Sequence, residues 1–235
     1  MKNLFLLIVG LVMFTAQSQA QEQTQAQDTI PFELRRLAYI YDMAKSYNDP
    51  AVAKMAIYNL LSYNPQNTSL LDTLALMYFD YNQIASAALT AQDAAKINPN
   101  DLFAVELAAV CFERLGVLPK AISFYERLYT EDFDINTLYK IAFMQMQSNN
   151  FVESKTNVDI ILENTESDKI NLRFPKTDKE TQDISMKAAT YRLKGLIEEA
   201  QGNTAAAGDF YQKAIDMEPD FAIAKEELKA LTEKE

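Results

Sequence analysis

A fixed spacing limits what this chain can fold into more than any other feature. The segments "SYNPQN" at Ser62, "KINPND" at Lys96 and "DMEPDF" at Asp216 each close a helical stretch on a proline, and Pro65 and Pro99 lie 34 residues apart. Ala53, Ala87 and Ala121 recur at the same interval. Self-similarity at such a period marks stacked supersecondary units, none of which can bury its apolar side alone.

Units laid from Leu34, Thr68, Leu102, Ile135 and Ala188 put like residues at like positions. The fourth position reads Leu37, Leu71, Val105, Leu138 and Tyr191, and the twentieth Ala53, Ala87, Ala121, Ser154 and Ala207. The twenty-fourth reads Ile57, Ala91, Tyr125, Val158 and Tyr211. From Leu34 to about Phe221 this pattern resembles the tetratricopeptide repeat family. The resemblance implies an all-α fold, a right-handed superhelical solenoid of antiparallel helix pairs about five units long. In that family the eighth position is a close helix crossing that wants a small side chain. Here it reads Tyr41, Ala75, Ala109, Ala142 and Gly195, so only the first unit departs, as terminal repeats do. Phe133 stands where a proline would close the third unit, and the fourth is one residue short and lacks that proline. Lys194 replaces an expected apolar residue in the fifth.

Local signals agree with the paired-helix reading. Asp49-Pro50 is an N-cap followed by proline at the first helical position, and Pro119 opens a helix similarly. Gly116 and Gly202 sit at turns between paired helices, where left-handed backbone costs glycine little. In "FAIAKEELKALTEKE", Phe221, Ala224, Leu228 and Leu231 form one stripe with charges opposite, which predicts an amphipathic helix closing the array.

One stretch breaks the rhythm. Pro99 and Pro219 are 120 residues apart where three repeats need 102, and one residue is lost in the fourth unit. The surplus is therefore about 19 residues, between about Glu166 and Lys187. Within it Ile170, Leu172 and Phe174 alternate with polar residues, as do Ile184 and Met186, around the charged turn "PKTDKE". Period two around a turn predicts a short inserted β-hairpin. A lone hairpin is marginal in water, so its apolar side must pack on something. It serves either as a buttress filling a mismatch between units or as a border and edge strand of a binding groove. The expected organisation is a signal at 1–20, a Gln-rich leader at 21–30 and units one to four over 31–165. The insertion follows at 166–187, unit five at 188–221 and the capping helix at 222–235.

The N-terminal "MKNLFLLIVGLVMFTAQSQA" has the layout of a cleaved secretory signal: a lysine, an apolar run from Leu4 to Phe14, and small residues Ser18 and Ala20 before the cut. An uncleaved anchor is the alternative, but 11 apolar residues fall short of about 30 Å of hydrocarbon. The expected location is exported, periplasmic or secreted, in a bacterial envelope. Without the signal the chain carries 21 basic and 33 acidic residues, net −12. That balance argues against nucleic acid and against an anionic membrane surface. Cys111 is the single cysteine, which rules out an internal disulfide; its apolar setting reads as a small buried hydrophobe rather than a reactive thiol.

Chemistry is sparse. There is no histidine, which removes histidine-based nucleophile systems and most zinc sites, and five glycines supply no phosphate-cradling loop. "EDFDINT" at Glu131 superficially resembles a calcium loop but lacks its glycine and bidentate glutamate. Adjacent pairs such as Glu198-Glu199 and Glu226-Glu227 point apart on a helix. No enzyme, cofactor or metal is expected, a carboxylate-based enzyme being the distant alternative.

In the resembled family the first helix of each unit lines a concave groove through its second, fifth, ninth, twelfth and thirteenth positions. Here that implies Leu76, Phe79 and Asp80 in the second unit, Phe103, Val110 and Arg114 in the third, and Tyr139, Phe143 and Met146 in the fourth. Seven of these are large and apolar; at ~1.5–2 kcal/mol each they represent on the order of 10 kcal/mol of burial. Soluble proteins rarely leave such a patch bare. The expected function is a non-catalytic scaffold holding another protein's segment in this groove. The alternative is a structural or self-associating solenoid whose groove is filled by its own leader, curvature or hairpin. Members of the family that clamp a terminal carboxylate use Asn at the ninth position. Here that position reads Asp42, Leu76, Val110, Phe143 and Leu196, so no such clamp is implied.

Overall fold

The computed structural model describes residues 30–233; the expected signal and nearly all of the Gln-rich leader lie outside them. The chain divides into two compact units, the first ending at Pro65 and the second starting at Gln66. In the first, α1 (Phe32–Ser46) packs against α2 (Pro50–Tyr63), burying Leu37 and Ala44 on one helix and Ala53, Ala56, Ile57 and Leu61 on the other. Asp49 caps α2 as expected, its side chain accepting from the Val52 N–H at 3.1 Å.

The second unit holds four further helix pairs. They are α3 (Thr68–Asp80) with α4 (Ile84–Ile97), α5 (Leu102–Arg114) with α6 (Leu118–Asp132), α7 (Ile135–Gln147) with α8 (Phe151–Glu163), and α9 (Met186–Ala200) with α10 (Thr204–Met217). A β-hairpin, β1 (Asn171–Pro175) and β2 (Thr181–Ser185), precedes α9, and α11 (Ala222–Thr232) follows α10. Within this second unit each pair also packs on the next, as a solenoid requires. The fold class is all-α.

All five turns between paired helices are built alike. Asn48, Asn82, Gly116, Asn149 and Gly202 have φ between 55° and 81°. In each turn the N–H one residue later reaches back five residues: Asp49 to Ala44, Gln83 to Tyr78, Val117 to Phe112, Asn150 to Gln145 and Asn203 to Glu198, at 2.7–2.9 Å. That is the Schellman closure, which satisfies carbonyls a helix end would leave bare and demands a left-handed residue. Glycine enters that region without strain and asparagine at small cost. The helices that open units two to five are capped by the Asn67, Asp101, Asp134 and Ser185 side chains.

The third unit closes without its proline. Phe133 ends α6 in a left-handed conformation at φ 52°, 68% exposed, its ring edge-on to Tyr129 at 5.6 Å. A bulky residue pays strain there. Asp134 then caps α7 at once through the Asn136 and Thr137 N–H groups, which accounts for the missing residue in the fourth unit.

The hairpin is antiparallel, pairing Leu172 with Ile184 and Phe174 with Gln182. Met186, expected to continue the strand alternation, is instead the fully buried first residue of α9, because Ser185 ends β2 and caps that helix. The first helices approach one another directly, α3 with α5 and α7 with α9, whereas the second helices make no comparable contact. The first-helix layer is therefore the inner side of the stack. Cores run between layers: Ala75, Ala87, Ala91, Ala109 and Ala121 let α3 to α6 close tightly around Phe112 and Tyr125. Cys111 is buried there, and burial raises its thiol pKa, leaving it unreactive.

Candidate functional site

The inner layer carries the nine candidate residues but treats them unequally. Leu76 on α3 and Phe103 on α5 are 41% and 45% exposed. Phe79 and Val110 are half-buried, packed onto the alanine-rich core of α3 to α6. Tyr139, Phe143 and Met146 on α7 are also half-buried, but against a different neighbour: the cluster of Leu138, Met186, Leu193 and Ile197, with Leu172 of the hairpin beside it. The apolar surface that faces solvent is therefore concentrated on α3 and α5, and α7 contributes much less of it.

The charged members are sorted by their contacts. Arg114 lies across the seam between α5 and the α3–α4 turn. Its Nη2 donates to Asn82 Oδ1 at 3.0 Å and its guanidinium sits 5.2 Å from the Phe79 ring centre. Asp80 is exposed. Glu113, at the twelfth position of its unit, accepts from the Tyr125 hydroxyl at 2.5 Å. The same bond recurs in the fifth unit between Tyr211 and Glu199 at 2.8 Å. Together with burial, these carboxylates push both phenols far above their ordinary pKa.

One polar group sits awkwardly on this face. Asp72 of α3 is half-buried, and its Oδ1 is enclosed without a hydrogen-bond partner. Burial, then the charge of Asp101 at the start of α5, raise its pKa to about 7. Asp72 stands at the fifth position of its unit, a groove-lining position in the resembled family, and only the fold brings Asp101 beside it.

The calcium-like stretch resolves into capping. Burial would raise the Asp134 pKa, but hydrogen bonds from Asn136 and Thr137 outweigh it and hold the carboxylate below its ordinary range. Among the described residues no group of three or more potential ligands is placed to hold a metal ion, and no helix is long and apolar enough to cross a membrane.

At the far end the hairpin's apolar side is spent internally. Phe174 packs on Phe221 with ring centres 5.1 Å apart, and Arg192 lies 5.8 Å over the Phe174 ring. Arg192 holds Glu227 of α11 in a two-pronged contact, its Nε and Nη2 each donating to one carboxylate oxygen. Lys194, the polar intruder in the fifth unit, pairs with Asp159 at 2.6 Å and lies 5.1 Å from the Phe210 ring.

No protein-family model matches the sequence, and neither does any curated protein. Solved structures do match. YrrB, described as a TPR protein with an unusual peptide-binding site, superposes with a TM-score of 0.58 at 14% identity, over 90% of this chain and 97% of that one. A tetratricopeptide repeat protein from Parabacteroides merdae gives 0.54 at 19% identity, covering 85% and 72%. MamA gives 0.53 at 17%, covering 81% and 94%. The fold is the tetratricopeptide repeat fold. Within it Gly195 stands at the close crossing. A Cβ there would lie 2.5 Å from Tyr211 Cε1, so the fifth tetratricopeptide unit closes more tightly than the third, where Ala109 tolerates Tyr125 at the matching position.

Proposed function

We propose that this chain is a non-catalytic scaffold which holds a segment of another polypeptide against the inner face of α3 and α5, and that it works in the cell envelope after export. One observation carries the reading: two large apolar side chains, Leu76 and Phe103, stand open to solvent on adjacent first helices. Apolar anchors lying across neighbouring helices suit a peptide laid in a groove. The peptide-binding site for which YrrB is described lends support from a protein of similar fold. The N-terminal signal layout supports export.

A second reading draws on α7. Tyr139, Phe143 and Met146 pack against α9 and the hairpin, which favours a structural role for that part of the groove. The two readings divide by where a charge is tolerated. Phe143→Glu strikes the core and is expected to lower stability. Leu76→Glu/Phe103→Glu is expected to keep the helical circular dichroism spectrum while losing the polypeptide that the unmodified protein captures from its native envelope. Equal capture by the folded variant would remove the inner face of α3 and α5 from the binding surface.

A further inference from the structure

The charge on that inner face restricts what can occupy it. Around Leu76 and Phe103, α3 presents Asp72 and Asp80, while α5 presents Glu106, Glu113 and one cation, Arg114. Two of these five are already engaged. Arg114 is held by Asn82 and the Phe79 ring, and Glu113 by the Tyr125 hydroxyl. Asp80 and Glu106 are exposed and enter no ion pair among the described residues. Asp72 keeps an enclosed oxygen with no partner, facing Asp101. What this surface leaves open to a ligand is therefore two exposed carboxylates, Asp80 and Glu106, set among two apolar anchors.

We propose that the α3–α5 groove takes a cationic polypeptide segment, its apolar side chains seated on Leu76 and Phe103 and its Lys or Arg side chains paired with Asp80 and Glu106. This rests on the groove-binding reading above and narrows it. Charge complementarity selects the occupant: pairing opposite charges steers encounter, and like charges across an interface cost affinity. The chain's own leader is a poor fit, since residues 21–29, "QEQTQAQDT", hold no Lys or Arg, no large apolar residue and two acids. A second copy is disfavoured by a net charge of −11 on each.

The test uses the purified protein and three fluorescein-labelled synthetic peptides of one length and one leucine spacing. Their intervening positions are Lys, Gln or Glu, and binding is read by fluorescence anisotropy at low and high salt. The expected result is that the Lys peptide binds about tenfold or more tighter than the Glu peptide, with Gln between them and the gap narrowing in high salt. Asp80→Asn/Glu106→Gln is expected to close most of that gap. Asp93→Asn/Glu153→Gln, which removes equal charge from the exposed faces of α4 and α8, is expected to leave it open. Equal binding of all three peptides would overturn the charge inference while leaving the groove reading intact. A Lys preference unchanged in Asp80→Asn/Glu106→Gln would overturn the assignment to this groove. Binding of none would overturn both.

Discussion

Gly195 shows how a single missing methyl sets a helix crossing. Tyr211 is fully buried and tied through its hydroxyl to Glu199, so its ring cannot swing aside from a new Cβ without giving up that bond. Gly195→Ala would gain about 1 kcal/mol of helix propensity but force overpacking that costs about 1–3 kcal/mol. The net expectation is a loss of up to about 2 kcal/mol in chemical denaturation. In a Tyr211→Leu background the same change should become neutral or stabilising, because the ring it strikes is gone. Asp72 offers a second residue-scale test, with pH as the variable. Its pKa in the folded chain is raised from 3.8 to about 7, so folding holds the proton more tightly than the unfolded chain does. Its contribution to stability is therefore complete below about pH 4 and is lost as pH rises towards 7. Asp72→Asn keeps the neutral shape at every pH. It should stabilise the protein at pH 8, by about 1–3 kcal/mol for relieving an enclosed charge without a partner, and the gain should fade on titration down to pH 4. A constant difference across that range would mean that Asp72 is not held in this way.

At the scale of elements, the hairpin, α9 and α11 form one assembly. Arg192 is 12% exposed and Glu227 20%. Burial raises the Glu227 pKa more than Arg192 lowers it, the sign of a pair whose desolvation rivals its attraction. Removing one partner should therefore cost more than removing both. Arg192→Met is expected to lose about 2–3 kcal/mol by stranding Glu227, and Arg192→Met/Glu227→Leu to recover most of it, read as a thermodynamic cycle in urea. Additive losses would show instead that the two side chains are not energetically coupled. The same elements show what was legible in the chain. Helix pairs, the hairpin's place and the Phe221–Leu231 stripe follow from periodicity, because burial forces a repeat on whatever residues lie at the seams. The turns were legible too, but Gly116 and Gly202 alone draw the eye. Asn48, Asn82 and Asn149 hold the same left-handed place, and the successive turn spacings of 34, 34, 33 and 53 residues from Asn48 to Gly202 record both the lost residue and the insertion. What periodicity cannot show is which inward-facing residues stay open. Phe143 and Phe103 occupy comparable faces of their helices, yet one is packed against α9 and the other stands in solvent, because only α7 has the hairpin and a displaced fifth unit beside it. Nor could spacing foresee Asp72 beside Asp101, since that contact depends on how closely α3 and α5 approach.

At the scale of the molecule, a stack of repeats draws its stability from each unit and its nearest neighbours, so a division between compact units carries thermodynamic content. The boundary falls between Pro65 and Gln66, immediately before a helix with its own side-chain cap: Asn67 accepts from the Leu70 N–H at 3.2 Å. Beyond it lie four helix pairs, closed at the far end by α11, where Phe221 and Ala224 are fully buried and Leu231 nearly so. Every side chain invoked for partner binding is on this side of the boundary. Gln66–Glu235 is therefore expected to fold alone, with a cooperative melt and the helical content of the same residues in the whole chain. It should bind the Lys peptide within about threefold of the intact protein, a difference of under 1 kcal/mol. A fragment that melts without cooperativity would mean that the first unit is part of the cooperative fold. A fragment that folds normally but loses the peptide would move the binding surface onto residues before Gln66, where Tyr39 and Met43 of α1 and Tyr47 just after it form an exposed apolar stripe.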